Sequence, residues 1–173
     1  MEYLNYKQSP LGTILLSSDG TALTGLWFAG QKHFGAHLPP DCEELNLPVF
    51  EQAGAWLDLY FGGKEPDFTP PLSPRGTRFQ KEVWDILLTI PYGQTVTYGE
   101  IASALAKQQG QTHMSARAVG GAVGRNPVSL IIPCHRVIGA DGSLTGYAGG
   151  TDRKKSLLIL EGALPVSADS EHF

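Results

Sequence analysis

A cluster of prolines divides this sequence into two parts that differ in their hydrophobic pattern. Residues 64–77 contain four of them, Pro66, Pro70, Pro71 and Pro74. Proline fixes φ and has no backbone N–H to donate, so a proline cluster between two periodic segments is typical of a linker. We therefore predict two domains in the 173-residue chain. The first is an N-terminal α/β domain with the linker over residues 1–74, and the second is a C-terminal domain over residues 75–173.

The N-terminal part has the pattern of a small antiparallel sheet covered by a helix. Gly12 and Asp19-Gly20 separate short apolar segments, and Asp-Gly is a strong hairpin signal. Apolar residues then recur at helical spacing from Phe50 to Phe61, where Gly62-Gly63 would end the helix. The predicted strands are Tyr3–Tyr6, Thr13–Ser17 and Leu23–Phe28.

The C-terminal part is predicted to be mostly helical and winged-helix-like, which places the whole chain in the α+β class. An amphipathic helix is expected between Phe79 and Ile90. Thr97 and Glu100 have the spacing of a capping box, which begins a second helix. After a polar turn, Ser115 would cap a third helix over residues 116–123. The last two helices predict a helix-turn-helix.

The second helix of this pair has an unusual composition. It contains Gly120, Gly121 and Gly124, and each glycine costs about 1 kcal/mol relative to alanine inside a helix. Such a helix is expected where a neighbour must come close, either a packed helix or a nucleic-acid groove. Arg117 is the only long side chain in its first turn, so it would face DNA if this is a recognition helix.

The distribution of charge is compatible with a polyanionic partner. The chain as a whole has a net charge of −4, but residues 1–74 carry −6 and residues 75–173 carry +2. An asymmetry of this kind allows one face to approach a polyanion.

The most reactive group that the sequence offers is the thiol of Cys134. The apolar run Val128–Ile132 predicts a buried strand that Pro133 ends. His135 and Arg136 follow Cys134 directly, and cationic neighbours lower the pKa of a thiol. The alternative is that Cys134 is inert, because most unpaired cysteines are small buried hydrophobic residues.

A carboxylate that could orient His135 is Glu161, in a last helix that Thr151 or Asp152 would cap. A nucleophile, a base and an orienting carboxylate form a generalised catalytic triad. These residues alone leave two possibilities equally open, a cysteine hydrolase and a cysteine-based nucleic-acid enzyme.

The other cysteine, Cys42, is far from Cys134 in the sequence and in a different context. This is not a disulfide framework, and it fits a reducing cytosol, so we expect a cytoplasmic protein. Neither cysteine belongs to a cluster with zinc spacing, so no metal site is expected. No apolar run reaches the length of a membrane span, and no membrane association is expected.

Several short motifs together resemble one known family. They are, in chain order, Arg117-Ala118-Val119-Gly120, Asn126-Pro127, Pro133-Cys134-His135-Arg136-Val137, Gly146-Tyr147-Ala148-Gly149-Gly150 and Leu160-Glu161-Gly162. In this order and spacing they are similar to the methylated-DNA–protein-cysteine S-methyltransferases, also called 6-O-alkylguanine-DNA alkyltransferases. The strong match covers about residues 77–162.

The resemblance implies a direct-reversal DNA repair enzyme that flips an alkylated guanine out of the duplex and transfers the alkyl group to itself. Cys134 would be the acceptor, in a single irreversible turnover. His135 would act as its base through a water, and Glu161 would orient His135. Tyr98 would donate a proton or a hydrogen bond to the guanine ring. Arg117 would fill the gap that the flipped base leaves.

The resemblance also implies how the remaining residues contact the substrate. The recognition helix would meet DNA through Arg117 and small neighbours, namely Ala116, Gly120 and Gly121. Asn126 would tie that helix to the active-site strand. The guanine pocket would be formed around Val137, Tyr147, Ala148 and Asn126. The partner would be double-stranded DNA containing alkylated guanine, with no cofactor, and the protein would be a monomer.

Three further functions stay open at this point. One is a non-catalytic DNA-binding regulator that uses only the helix-turn-helix. Another is a cysteine hydrolase, which would turn over repeatedly and ignore DNA. The third is a sensor that changes transcription once it is methylated, which would usually need a further domain.

Overall fold

The chain divides into two compact units. The first long stretch of unit 1 ends at Arg75, directly after the proline cluster. Unit 1 comprises Met1–Arg75 together with the short segment Pro127–Ile131. Unit 2 comprises Gly76–Asn126 and the described residues between Ile132 and Pro165. The computed structural model describes residues 1–144 and 146–165.

The elements of unit 1 are β1 (Tyr3–Ser9), β2 (Gly12–Ser18), β3 (Leu23–Phe28), β4 (Glu43–Glu44) and α1 (Pro48–Phe61). The elements of unit 2 are α2 (Arg78–Leu87), β5 (Val96–Thr97), α3 (Tyr98–Gln108), α4 (Ala116–Gly124), a 3-10 helix (Cys134–Arg136), β6 (Val137–Ile138) and α5 (Thr151–Leu160). The α+β class and the small N-terminal sheet predicted from the sequence are confirmed.

The sheet of unit 1 has the strand order β3-β2-β1-β4. β1, β2 and β3 pair antiparallel, as predicted, but the two-residue β4 pairs parallel to β1. The sheet is therefore mixed, because the irregular segment after β3 returns alongside β1 before α1 begins. All six residues of β3 are buried.

The outer edge of β3 is covered by two segments that are not strands. Leu23 donates its N–H to the Pro71 carbonyl at 2.8 Å, within the predicted linker. Leu26 donates to the Pro127 carbonyl at 2.8 Å, and Leu26 accepts from the Ser129 N–H at 3.0 Å. Unpaired backbone groups on a sheet edge favour association with other chains, and these segments satisfy them.

The prediction of a buried strand over Val128–Ile132 is wrong. Val128 alone forms a β-bridge, to Leu26. Leu130 has a φ of 71°, and the Ile131 N–H donates to the Ser129 carbonyl at 2.9 Å. The segment is buried as expected, but its backbone turns because Val128 and Ser129 follow the edge of β3 for a single bridge only.

In unit 2 the predicted helix-turn-helix is present as α3 and α4. Thr97 and Glu100 form the expected capping box, with both side chain–backbone hydrogen bonds at 3.1 Å. Ser115 caps α4 by accepting from the Ala118 N–H at 3.1 Å. The indole N–H of the buried Trp84 on α2 donates to the Ala122 carbonyl at 2.9 Å, which fixes α4 against α2.

Two details of unit 2 differ from the sequence prediction or refine it. Neither Thr151 nor Asp152 caps α5; the N-cap is Gly150, with a φ of 95° and no side-chain cap. In α4, an added Cβ at Gly120 would lie 3.7 Å from the Tyr98 ring, whereas one at Gly121 would meet nothing within 4 Å. The close neighbour of Gly120 is thus a side chain of unit 2, and Gly121 has open space beside it.

A two-residue parallel pairing in unit 2 brings distant parts of the chain together. Val96 and Thr97 of β5 pair with Val137 and Ile138 of β6. β5 leads directly into Tyr98 at the start of α3, and β6 directly follows the 3-10 helix that carries Cys134. This pairing joins the segments that carry these two side chains. Within the described residues, no helix is long and apolar enough to cross a membrane.

Two glycine substitutions in unit 1 are expected to have opposite effects on stability. A Cβ at Gly25 would overlap the ring of Trp27, which is 1% exposed and has no room to move. Gly25→Ala should therefore lower the free energy of unfolding by about 1–3 kcal/mol. Gly54, inside α1, has nothing within 4 Å of an added Cβ, so Gly54→Ala should raise it by about 1 kcal/mol. Urea denaturation of both variants tests this; a stabilised Gly25→Ala protein would contradict the packing described.

Candidate functional site

The carboxylate of Glu161, at the end of α5, is the centre of a buried hydrogen-bond cluster in unit 2. It lies 2.5 Å from His135 Nε2. It accepts from Arg136 Nε at 2.8 Å and from Arg136 Nη2 at 3.2 Å, and from the Gly93 N–H at 3.1 Å. Arg136 also donates from Nη1 to the Ile90 carbonyl at 2.7 Å. One carboxylate thus connects α5, the 3-10 helix and the turn after α2.

The charges in this cluster follow from its hydrogen bonds. Burial alone would raise the pKa of Glu161, but the hydrogen bonds and charges of His135 and Arg136 outweigh it and lower the pKa to about 2. Burial lowers the pKa of His135, although Glu161 opposes this. Glu161 is therefore ionised at neutral pH and His135 is neutral, so the positive charge that balances Glu161 comes from Arg136.

The state of His135 determines which nitrogen can act as a base. Because the ionised Glu161 can only accept a hydrogen bond, His135 Nε2 carries the proton. Nδ1 of the neutral ring then has the lone pair. The ring of Tyr147 is packed edge-on against His135, with 6.5 Å between the centroids and 75° between the planes.

Cys134 is the first residue of the 3-10 helix and is 4% exposed. Its N–H donates to the Ile132 carbonyl at 2.8 Å, and the Asn126 side chain donates to the same carbonyl at 2.8 Å. Asn126, after α4, therefore holds the backbone that precedes Cys134.

The prediction that its neighbours lower the pKa of the Cys134 thiol is wrong for the resting protein. Burial raises that pKa to about 11, while the Asn126 side chain and the charge of Lys154 lower it by less. Of the two expected cations, His135 is neutral and Arg136 is bound to Glu161. At neutral pH the sulfur is therefore a protonated thiol, and it needs a base.

Tyr98 lies at the start of α3 and is half-buried. Burial and the nearby Cys134 raise the pKa of Tyr98, so the hydroxyl keeps its proton. An added Cβ at Gly146 would lie 2.7 Å from this hydroxyl, which shows how closely the glycine-rich loop approaches Tyr98. In the same loop, Tyr147 is buried and Ala148 is half-buried, while Val137 is fully buried in β6.

The residues expected to contact DNA lie on α4, and most of them are exposed. Ala116, Arg117 and Gly121 are exposed, and Gly120 is half-buried under the Tyr98 ring. The structure thus brings the expected catalytic residues together around Cys134 and leaves the start of α4 open to solvent.

Sequence reasoning missed two residues of this cluster. Arg136 was considered only as a neighbour of the thiol, whereas it is the charge partner of Glu161. Lys154 was not considered, although it is 0% exposed and its charge acts on Cys134. It lies seven residues before Glu161, a spacing of two helical turns that puts both side chains on one face of the helix.

Cys42 belongs to unit 1, whereas Cys134 belongs to unit 2. Cys42 is half-buried in unit 1 and its thiol donates to the Pro39 carbonyl at 3.0 Å. In residues 1–144 and 146–165, no group of three or more His, Cys, Asp or Glu residues is arranged to hold a metal ion.

Two family models match the chain, and together they cover most of it. Residues 3–74 match the ribonuclease-like domain of 6-O-methylguanine DNA methyltransferase, and residues 78–163 match the DNA binding domain of the same family.

Named relatives and solved structures are similar over nearly the full length. A methylated-DNA–protein-cysteine methyltransferase of Methanosarcina acetivorans is 46% identical, covering 90% of this chain and 96% of the relative. One of Haemophilus influenzae is 42% identical, covering 92% and 86%. The crystal structure of Mycobacterium tuberculosis OGT in complex with DNA matches with a TM-score of 0.81 and 42% identity, covering 93% of each chain. The Pyrococcus kodakaraensis O6-methylguanine-DNA methyltransferase structure has a TM-score of 0.65 and 28% identity, covering 94% and 99%.

The buried cluster predicts a large and pH-dependent effect of Glu161→Gln. At pH 7 the substitution leaves Arg136 buried without its counter-charge, which should lower the free energy of unfolding by about 3–5 kcal/mol. The pKa of Glu161 is about 2 in the folded protein and about 4.3 in an unfolded chain. A carboxyl with a lowered folded pKa stabilises above its unfolded pKa, and that contribution is lost as the pH falls towards 2.

Urea denaturation of wild type and variant between pH 7 and pH 3 measures this difference. It should be constant above about pH 5 and shrink below it. Asp58→Asn is the matched control, because Asp58 pairs with Lys7 at 2.8 Å on the surface and its side chain is 70% exposed. It should change stability by less than about 1 kcal/mol. Equal effects of the two substitutions would contradict a structural role for the cluster.

Proposed function

Since the chain belongs to the 6-O-methylguanine DNA methyltransferase family, we propose that Cys134 is the residue that accepts the alkyl group removed from guanine. The protein is a methylated-DNA–protein-cysteine methyltransferase, an enzyme of direct-reversal DNA repair. The observation that carries the assignment to Cys134 is the hydrogen bond between Glu161 and His135 directly beside a buried thiol. A neutral histidine held by a carboxylate is the base that a protonated thiol requires.

The proposed transfer is a direct displacement at the alkyl carbon. The thiol of Cys134 loses its proton to the Nδ1 side of His135, through a bridging water. The thiolate then forms a bond to the methyl carbon, the bond from that carbon to guanine O6 breaks, and the electron pair stays with the base. The base takes up one proton and becomes guanine, so protons and charges balance. The thioether has no ready leaving group, and each molecule therefore acts once.

Tyr98 is proposed to supply the proton or hydrogen bond that the departing base needs. Its raised pKa means that the hydroxyl is protonated at neutral pH, which makes it a donor. Its ring lies against Gly120 and its hydroxyl faces the loop at Gly146. A base bound between α3 and this loop would be within reach of the hydroxyl.

The guanine pocket is proposed to lie around Val137, Tyr147 and Ala148, next to the 3-10 helix. Tyr147 offers a planar face to a purine. Asn126 is proposed to act indirectly, because its side chain binds the Ile132 carbonyl and fixes the backbone in front of Cys134.

The exposed start of α4 is proposed to enter DNA with Arg117. The exposed small residues Ala116 and Gly121 beside it allow the helix to lie close to the sugar-phosphate backbone, whereas Gly120 faces the Tyr98 ring. Flipping a nucleotide costs a few kcal/mol, and an inserted guanidinium partly replaces the stacking that is lost. The proposed partner is therefore double-stranded DNA that contains alkylated guanine. The protein would bind it as a monomer and without a cofactor. The cytoplasmic location expected from the sequence stays a prediction.

Neither the non-catalytic regulator nor the cysteine hydrolase is favoured. A regulator that only binds DNA has no use for a thiol supported by the His135–Glu161 pair. A cysteine hydrolase would not need the exposed arginine on a helix-turn-helix, and the matched relatives are named as methyltransferases.

Incubation with a duplex oligonucleotide that contains one 6-O-methylguanine tests the acceptor directly. We expect one methyl group on the peptide that contains Cys134, guanine restored in the DNA, and no further repair after one equivalent. Cys134→Ala should abolish the transfer and retain DNA binding, whereas Cys42→Ser should transfer normally. A methyl group on another peptide, or an unchanged lesion, would exclude Cys134 as the acceptor.

Arg117→Ala should weaken repair of duplex DNA more than the reaction with the free base. Losing the group that stabilises the flipped state should slow duplex repair at least about tenfold, since flipping costs a few kcal/mol and 1.4 kcal/mol is a factor of ten. The reaction with free 6-O-methylguanine, measured on the Cys134 peptide, should change little. Arg78→Ala is the control, because Arg78 is exposed on α2. Equal losses on both substrates would remove Arg117 from base flipping.

A further inference from the structure

Lys154 is a buried lysine whose charge acts on the acceptor cysteine, and none of the roles proposed above uses it. Lys154 lies in the first half of α5, is 0% exposed and is among the largest fully buried side chains of the described residues. Lysines are almost never fully buried unless they are paired, because removing an ammonium group from water is costly. The burial of the Lys154 ammonium group therefore requires a physical explanation.

The position of Lys154 on α5 directs it to the acceptor site. Lys154 and Glu161 are seven residues apart, which is two turns, so their side chains lie on one face of α5. Glu161 reaches His135. Lys154 Nζ lies 6.0 Å from the centroid of the Tyr98 ring, and its charge acts on both Cys134 and His135. One helix face thus supplies a negative charge to the base and a positive charge to the nucleophile.

Cys134 is a group close enough to act on Lys154 that becomes an anion during the proposed reaction. Tyr98 faces it from α3, with a hydroxyl whose pKa is raised. His135 faces it from the 3-10 helix and is neutral, while Arg136 and Glu161 neutralise each other. Neighbours on α5 itself point elsewhere: Asp152 and Lys155 are exposed, and Arg153 donates to the Gly149 carbonyl.

We propose that Lys154 is a positioning residue of the transfer step, which acts through Cys134 by placing an ammonium charge next to the sulfur and stabilising the thiolate. This rests on the proposed function of Cys134 as the alkyl acceptor. The thiol proton still leaves to His135, and the sulfur still forms the bond to the alkyl carbon. Lys154 neither gains nor loses a proton in these steps, and its role is electrostatic.

The protonation behaviour of the two groups supports this placement. Burial lowers the pKa of Lys154 to about 8, and the charge of Cys134 raises it in turn. At neutral pH the side chain is therefore still an ammonium. Above about pH 8 it loses its charge, and the thiolate loses its stabilisation.

The pH dependence of Cys134 alkylation by iodoacetamide, without DNA, tests the proposal in the full-length protein. The rate on the Cys134 peptide is read by mass spectrometry between pH 6 and pH 10. While Lys154 is charged, the rate should rise about tenfold per pH unit, as the thiolate fraction does. In wild type this rise should flatten above about pH 8, where the ammonium is lost.

Lys154→Met keeps the length of the side chain and removes the charge. An opposite charge close to an acid shifts its pKa by about one unit or more, so at pH 7 the variant should react at least about tenfold more slowly. Its rate should also continue to rise above pH 8 without flattening. Lys154→Arg should restore most of the rate at pH 7. Lys155→Met, one residue further on and exposed, should match wild type throughout.

A purely structural role gives a different result. If Lys154→Met runs parallel to wild type at every pH, with or without a uniform loss of rate, the proposal is overturned. If Lys154→Met fails to fold, the wild-type profile decides on its own. A wild-type rate that keeps rising about tenfold per pH unit above about pH 8 overturns the proposal.

The same proteins also separate this proposal from the proposed function. Wild type is incubated with the 6-O-methylguanine duplex at pH 7. If Cys134 gains no methyl group, the acceptor assignment fails, whatever the alkylation profiles show. If Cys134 is methylated and the profiles of wild type and Lys154→Met are parallel, only the role of Lys154 fails.

Discussion

The geometry of the site depends on the ionised carboxylate of Glu161 and on the hydrogen bonds that it accepts. Its two oxygens accept from the His135 ring, the Arg136 guanidinium and the Gly93 backbone. These donors come from segments far apart in the sequence, and a buried carboxylate is tolerated only where every such donor is present. The same interaction that holds α5 to the 3-10 helix therefore selects the tautomer of His135. The same hydrogen bonds thus hold α5 in place and set the protonation of His135. A substitution that removes them would alter both.

Local signals in the sequence predicted the elements whose stabilising contacts are also local. The capping box at Thr97 and the cap at Ser115 each involve residues three apart, and both are present. The predictions of a strand over Val128–Ile132 and of a side-chain cap for α5 were wrong. An apolar run shows that a segment is buried but not how its backbone pairs, and here the partner is Leu26, about a hundred residues earlier. The prediction of a lowered pKa for the Cys134 thiol failed for a related reason. Burial, which depends on the whole fold, raises that pKa by more than the neighbouring groups lower it.

The residues of the site were predicted unevenly. Motif resemblance named Cys134, His135 and Glu161 together, and the structure brings them into one cluster. It did not reveal that Arg136 balances Glu161, since 25 residues separate them and only the fold makes them partners. Lys154 escaped notice because a lysine in a polar helix is normally solvated. The seven-residue spacing to Glu161 becomes informative only once that face of α5 is known to be buried.

The edge of β3 has a consequence for how the chain is made. Leu26 finds its backbone partners in Pro127 and Ser129, which leave the ribosome about a hundred residues after it. Until then the chain up to the proline cluster has a complete hairpin pair but an open strand edge at Leu26, and open edges invite pairing with other chains. An isolated fragment that ends at Arg75 would keep that edge exposed permanently. Unit 1 therefore cannot complete its sheet edge during synthesis until Ser129 has left the ribosome.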